Sequence, residues 1–473
     1  MLNLAKSWFS DIRFWLVLFF LVRLAGITQP PLEVAHNWRQ TTVCMVARNF
    51  SEVDANILYP RIDVAGEKPG ITGMEFPLLN YCMYATSEIF GYSHWYGRLI
   101  NLIVSTLGIW FFYLLVKFFF DERRALFASL LLLSSLWFMY SRKSMPDTFA
   151  VSLVLASFWV AIRYLYPERH SKTYDLFHLL LFLVLCCAGL ASKLPAGLVL
   201  APLAVAFFDK TVILRRKTLL SMVFICALIP VISWYFLWAP YLSKTFGFSY
   251  FFMGMDAATG WSELWQHPGD LARQFYDVPL KYSGFAAFLL GIILMVRLKE
   301  NRLLWVSLVS FIFFIIYMVS GGFTFIRHSY YIIPFVPLMA LIAAYGLTML
   351  PWKKLTIVIL CLVCTENIVN QVHDFRIKPN SEALLTLEQA VNQYVPASGL
   401  LAINSDNVPT PMYFAHHRGW ICRNEDLLNP GYREEIKAKG CKMVVVLKRS
   451  FGEEVQLPLE IAESTADWTL YFL

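Results

Sequence analysis

The segment Glu33-Val-Ala-His36-Asn-Trp38-Arg39-Gln40-Thr-Thr42 directly follows an apolar run and concentrates ionisable and amide side chains close to lipid. Such groups are costly to hold near hydrocarbon, so function is their default explanation. On a helix, Glu33 and His36 would be three apart and His36 and Gln40 four apart, which predicts one shared face. Similar groups recur near the ends of later apolar runs. Glu75 stands in GMEFPLLNY, Arg142 and Asp147 in YSRKSMPDTF, Lys193 in GLASKLPAG, and Arg327, His328, Tyr330 and Tyr331 in FIRHSYYIIP. The carboxylates can act as proton acceptors if placed within hydrogen-bond reach. The cations can stabilise charge developing on a departing phosphate.

Each residue also has a structural reading. Glu33 fits an ordinary interfacial position, and Asp147, after Pro146, fits a helix cap. Lys193 and Arg142 fit snorkelling side chains. Trp38, Tyr330 and Tyr331 fit the aromatic belt of a membrane interface, and His328 fits a structural bond to a backbone carbonyl. Chemistry is favoured because the expected topology puts all of them on one side of a membrane.

That topology follows from composition. Of 473 residues, 58% are hydrophobic, 16% aromatic and only 15% charged. Mean hydropathy is +0.54. Soluble domains carry about 25% charged residues, so the expectation is an integral membrane protein. The net charge of +7 then reflects basic loops, with no nucleic-acid partner implied. Residues 14–28, flanked by Lys6 and Arg13, lack a small-residue cleavage pattern and read as a retained signal anchor.

Runs long enough for a bilayer helix, about 15–20 residues, occur near 14–28, 99–119, 125–140, 148–166, 175–191, 195–208, 218–238, 284–297, 303–320, 330–349 and 355–370. They predict about eleven spans. The shorter, polar-studded 76–91 reads as interfacial. With a cytoplasmic N-terminus, the inner loops hold fifteen basic residues, Arg169 among them, whereas the short outer loops hold four: Arg142, Lys143, Lys193 and Arg327. The positive-inside rule supports that orientation.

The domain expectation is a transmembrane region over 1–370, with long outer loops at 29–98 and 239–283, then an extracytoplasmic domain over 371–473. In the last, LLAIN (400–404) and VVVLK (444–448) read as strands, and SEALLTLEQAVNQY (381–394) and YREEIKAKG (432–440) as helices, a small α/β pattern. Cys422 with Cys441, and Cys44 with Cys82, fall where a disulfide would persist. The CxxC at Cys361 and Cys364 lies in a span without His, so no metal site is read there.

The motifs HNWRQTTVCMVARNF, EFPLLNY, HWYGRLINLIVS (94–105), YSRKSMPDTF, GLASKLPAG and RHSYYIIPFVPLMAL occur in order over roughly residues 10–350. In this the chain resembles the GT-C membrane glycosyltransferases of the family 39 type, which include protein O-mannosyltransferases and the lipid A aminoarabinose transferase. It is most similar to bacterial members with an HxWRQxxT pattern. The resemblance implies a polytopic α-helical enzyme of the bacterial inner membrane. It also implies an inverting transfer of one sugar from a polyprenyl-phosphate donor to an acceptor hydroxyl on a glycan, lipid or protein at the outer face. It puts an acid in the first outer loop near the catalytic centre and a second at Asp147, and matches Lys193 and Arg327–Tyr331 to the family's cationic and aromatic positions.

One departure concerns the base. Many relatives carry Asp-Glu there, and in some an Asp stands close before the His of the motif. Here the nearest upstream acid is Glu33, so the candidates are Glu33, then Asp147, then His36. Arg39, Gln40, Glu75, Arg142, Lys193, Arg327, His328 and Tyr331 are the expected substrate contacts, with no metal and no cofactor. A polymerase or ligase using a diphosphate-linked lipid is the nearest rival within enzymes. A transporter or flippase is the rival outside them, although it would show polar residues or broken helices at mid-membrane.

Overall fold

The computed structural model describes residues 8–168, 171–252 and 254–473. Lys6 and Arg169, which enter the topology argument, lie outside the described residues. The chain forms two compact units. The first comprises residues up to 27, 98–235 and 252–372; the second comprises 28–97, 236–251 and 373–473.

Among the described residues seven helices are long and apolar enough to cross a membrane: Tyr96–Phe119, Pro146–Leu165, Lys172–Ser192, Leu214–Thr245, Asn301–Arg327, Ser329–Thr348 and Lys353–Phe375. An eighth span is made if Pro268–Tyr276 and Lys281–Arg297, bent by 84°, count as one. These eight correspond to eight of the eleven apolar runs.

The other three runs differ for local reasons. Ile12–Leu24 has 13 residues, about 20 Å of helix against a core of about 30 Å. The run 125–140 is interrupted at Ser135–Leu136, where the Leu136 N–H donates to the Pro279 carbonyl (3.0 Å). The run 195–208 opens into a 3-10 turn, Leu194–Leu200, and a five-residue helix, Leu203–Phe207. Pro195 and Pro202 each remove a backbone donor there.

Arg23, a charge inside the first apolar run, is only 1% exposed. Its Nε donates to the Phe19 carbonyl (3.1 Å), its Nη1 to Ser141 Oγ (2.7 Å), and the guanidinium faces the Phe138 ring at 5.7 Å. The end of the same helix receives two more arginines, since Arg142 donates to the Gly26 carbonyl (3.0 Å) and Arg98 to that of Ile27 (3.2 Å). Cations at a helix C-terminus complement its unsatisfied carbonyls.

The second unit holds the sheet. Strands β1 (Leu400–Ile403), β2 (Arg418–Ile421), β3 (Cys441–Leu447), β4 (Ile461–Ser464) and β5 (Trp468–Phe472) are ordered β2-β1-β3-β5-β4. Strand β1 pairs in parallel with β2 and β3, and β5 pairs antiparallel with β3 and β4. Helices Thr410–Ala415 and Pro430–Ala438 lie within the two parallel crossovers, the connection parallel strands require. The expected helix over 381–394 is instead a 3-10 stretch, Pro379–Thr386, followed by the short helix Leu387–Val391.

Residues of the segment 28–97 pack on this sheet. The Gly66 N–H donates to the Gly419 carbonyl (2.7 Å), and the Gly419 N–H donates to that of Asp63 (2.9 Å). Arg48 pairs with Asp63 at 2.9 Å and also donates to the Tyr413 carbonyl (3.1 Å). Asp63 holds the Arg48 guanidinium charged above its ordinary value, although burial opposes this. All nine cysteines are free thiols. Cys422 and Cys441 share one hydrophobic cluster, and burial pushes each thiol up to about 12.

Candidate active site

The sequence-derived site residues fall into both units, and each group has its own geometry. In the first unit, helix Pro146–Leu165 starts with Pro146 at its first position, which the fixed proline φ favours. This puts Asp147 in the first turn at 3% exposure. Asp147 Oδ1 meets Lys193 Nζ at 3.3 Å. Its Oδ2 is buried without a hydrogen-bond partner, leaving acceptor capacity that a bound group could use.

Lys193 ends helix Lys172–Ser192 in an extended conformation, so its side chain leaves the helix where Leu194-Pro195 stops it. Its ammonium lies 5.3 Å from the ring centre of Tyr330 and 5.8 Å from that of Tyr331. His328 stacks on both tyrosines, at 5.3 and 6.1 Å, and Tyr331 stacks on Tyr317 at 5.9 Å with the rings 7° apart. Arg327 is exposed and sits over Phe323 at 5.6 Å. Two aromatic faces and one carboxylate are surroundings that attract a cationic side chain.

An apolar cavity of about 430 Å³ occupies the same unit. Phe112, Val116, Leu155, Phe158, Phe335 and Leu338 are among its walls. Its polar lining is sparse: Ser310, Arg302, and the Tyr166 hydroxyl donating to Asp209 at 2.6 Å.

In the second unit, the expected shared helical face of Glu33, His36 and Gln40 does not form. The helix runs Asn37–Glu52, and His36 precedes it in the left-handed conformation (φ 57°). Glu33 lies outside the helix, its backbone bridged to Ile377. The physical reason is a competing partner: the neighbouring Val34 N–H donates to the Arg376 carbonyl (2.8 Å), and residues 34–36 form a turn ahead of the helix. Glu33 and Gln40 still meet through their side chains, with Gln40 Nε2 at 3.5 Å from Glu33 Oε2 and Glu33 at 0% exposure. Arg39 pairs with Glu75 and lies 5.2 Å from the Phe251 ring.

Three further buried polar residues were not among the expected site residues. Arg98 lies in the HWYGRLINLIVS run and Lys143 beside Arg142, and both are buried. Asn101 donates to the carbonyls of Tyr140, Lys143 and Met145 at 2.8 to 3.2 Å, shaping the turn that ends at Asp147. A charge or amide inside an apolar run was the available signal. Among the described residues no three His, Cys, Asp or Glu side chains converge as metal ligands.

The helix that carries Arg39 and Gln40 is anchored at its other end. His416 bridges Glu52 (3.0 Å) and Glu388 (2.7 Å), with Arg48 nearby. The Glu52 bond raises the His416 pKa above its ordinary value. Burial pushes Glu52 up, but the imidazolium and Arg48 outweigh it and hold the carboxyl low. The histidine contribution is complete below about pH 6.5 and is lost as pH rises through the raised folded value. The Glu52 contribution is complete above about pH 4.3 and is lost as pH falls through the depressed one. His416→Ala is therefore expected to lower the melting temperature most between about pH 5 and 6.5 and least at pH 9. An equal deficit at pH 6 and pH 9, in paired melting curves, would refute the bridge.

The sequence profile of the dolichyl-phosphate-mannose-protein mannosyltransferase family matches residues 68–234, roughly a third of the chain. No curated protein matches the sequence. Among solved structures, ArnT from Cupriavidus metallidurans in the apo state superposes with a TM-score of 0.60 at 14% identity, covering 97% of both chains. The same protein bound to undecaprenyl phosphate gives 0.57 at 14% identity, again covering 97% of both. The apo oligosaccharyltransferase of Archaeoglobus fulgidus gives 0.57 at 11% identity, covering 92% of this chain and 70% of that one.

Proposed function

We propose, for a membrane protein with the GT-C glycosyltransferase fold, that it moves one sugar from a polyprenyl-phosphate donor to an acceptor hydroxyl. The donor phosphate binds at Lys193, with Arg142 and Arg327 as further cations. The observation that carries this reading is the Lys193 ammonium, held by Asp147 and two tyrosine faces. Such a cation is already stripped of most of its hydration, so an arriving anion need not displace it. The cavity walled by Phe112, Leu155 and Phe335 is apolar, as a site for part of an isoprenoid tail requires. The undecaprenyl phosphate bound to ArnT is the same class of ligand.

In the proposed reaction the acceptor oxygen attacks the anomeric carbon from the side opposite the phosphate. The new C–O bond forms as the bond to the phosphate oxygen breaks, so the configuration inverts and polyprenyl phosphate leaves. Lys193 stabilises the growing negative charge on the leaving group. Glu33, buried and bonded by Gln40, is the first candidate to take the acceptor proton, with Asp147 and His36 next. Arg39, Glu75, His328 and Tyr331 complete the proposed substrate contacts. We place the reaction at the outer face of a bacterial inner membrane, with a cytoplasmic N-terminus and the sheet extracytoplasmic; the fifteen-to-four division of basic residues supports this orientation. The acceptor is a hydroxyl on a glycan, a lipid or a protein.

Purified protein in liposomes, offered a panel of polyprenyl-phosphate sugars with an envelope extract as acceptor, is expected to release polyprenyl phosphate and give a product of inverted anomeric configuration. No release from any donor, together with no binding of undecaprenyl phosphate, would reject the reading.

A further inference from the structure

We infer that Glu263 is a positioning residue for the aromatic and cationic cluster around Lys193, acting through a break in the helix Asn301–Arg327. Its functional consequence rests on the proposed binding of a donor phosphate at Lys193, and the rest stands on geometry. Gly322 interrupts this helix with φ 51° and ψ −135°, in the left-handed half of backbone space that glycine tolerates. At such a break the Phe323 N–H has no helical carbonyl four residues back. Glu263 Oε2 accepts it instead, at 2.7 Å.

Glu263 is brought there by a second helix, Ala257–Gln266. The Met255 N–H donates to the Ser320 carbonyl (3.0 Å), and Gly260 lies so close to the Val319 carbonyl that a β-carbon has no room. The His267 ring lies against that of Phe323, with centres 4.5 Å apart and the planes tilted by 34°. At the far end of the piece 323–327, the Gln274 side-chain amide donates to the Ile326 carbonyl. Both ends of this one-turn piece are thus held by side chains from residues 263–274.

The piece leads straight into the cluster. Arg327 lies over Phe323, and the chain continues into His328, Tyr330 and Tyr331, whose two tyrosine rings are the faces against which Lys193 rests. Tyr317 precedes the break and Tyr331 comes after it, yet their rings are parallel to within 7°. That stack exists only at one angle of the break, and Glu263 holds that angle by occupying the freed N–H. Without an acceptor, a shielded N–H carries the full penalty of an unmade bond, so the piece would reorient to find one.

The test uses the full-length protein in lipid nanodiscs, with undecaprenyl phosphate as probe and hydrogen exchange over residues 323–331 as a second readout. Glu263→Ala is expected to weaken binding by about tenfold and to speed exchange in 323–331 selectively. Glu263→Gln, whose amide oxygen can accept the same bond, should match wild type in both. Unchanged binding and exchange in the alanine variant would overturn the inference. So would exchange that rises equally throughout the first unit, or a glutamine variant as impaired as alanine. If wild type itself fails to bind the lipid phosphate, the donor reading falls, and exchange over 323–331 alone decides the role of Glu263.

Discussion

Glu33→Gln protein should fold, insert and bind undecaprenyl phosphate like wild type, yet turn over about 10²–10⁴-fold more slowly, the range a positioned general base contributes. The substitution keeps shape and hydrogen-bonding capacity and removes only basicity, so Gln40 can still bond the side chain. The loss belongs in kcat, because the acceptor proton moves in the transition state and not on binding. Asp147→Asn should behave differently. Asp147 holds Lys193, so its neutral variant should weaken donor binding as well as turnover. A donor titration separates the two patterns: a low kcat at native KM for Glu33→Gln, and a raised KM with it for Asp147→Asn. If Glu33→Gln keeps near-native turnover, the base lies elsewhere, and His36 and Glu75 are the next residues to replace.

Lys193→Met is expected to cost about 3–5 kcal/mol of stability, since removing one partner of a buried ion pair strands the other. Asp147, at 3% exposure and already with one oxygen unbonded, is too enclosed to be rescued by solvation. The double variant Lys193→Met with Asp147→Asn should recover most of that stability, because a neutral amide replaces the stranded charge. It should not recover donor binding, which needs the cation. Thermal melting and undecaprenyl phosphate binding, measured on wild type and both variants, distinguish these effects. Donor binding that returns with stability in the double variant would make the pair purely structural and remove Lys193 from the proposed phosphate site.

The residue types of the candidate site were legible because an ionisable group at the edge of an apolar run is visible in one dimension. Asp147 was placed at a helix start by Pro146, and Lys193 at a turn by its position between two apolar runs, and the structure has both at helix ends. That Lys193 contacts Asp147 was not legible, because the two come from different helices and nothing local to either names its partner. The helical face assigned to Glu33, His36 and Gln40 failed for a related reason. Spacing of three and four presumes a helix, and the Arg376 carbonyl, far along the chain, claims the Val34 N–H, so 34–36 form a turn and the helix starts only at Asn37.

By itself the sequence determined the class of protein, most of its spans and the strand-forming stretches near 400 and 444, because run length, charge distribution and β-branched content are local properties. The tertiary structure alone decided how the run at 195–208 opens, how Gly322 breaks an otherwise apolar helix, and which carbonyls receive Arg23, Arg98 and Arg142. Proline and glycine permit such departures without requiring them. The requirement comes from partners such as Glu263, whose position depends on packing between distant segments.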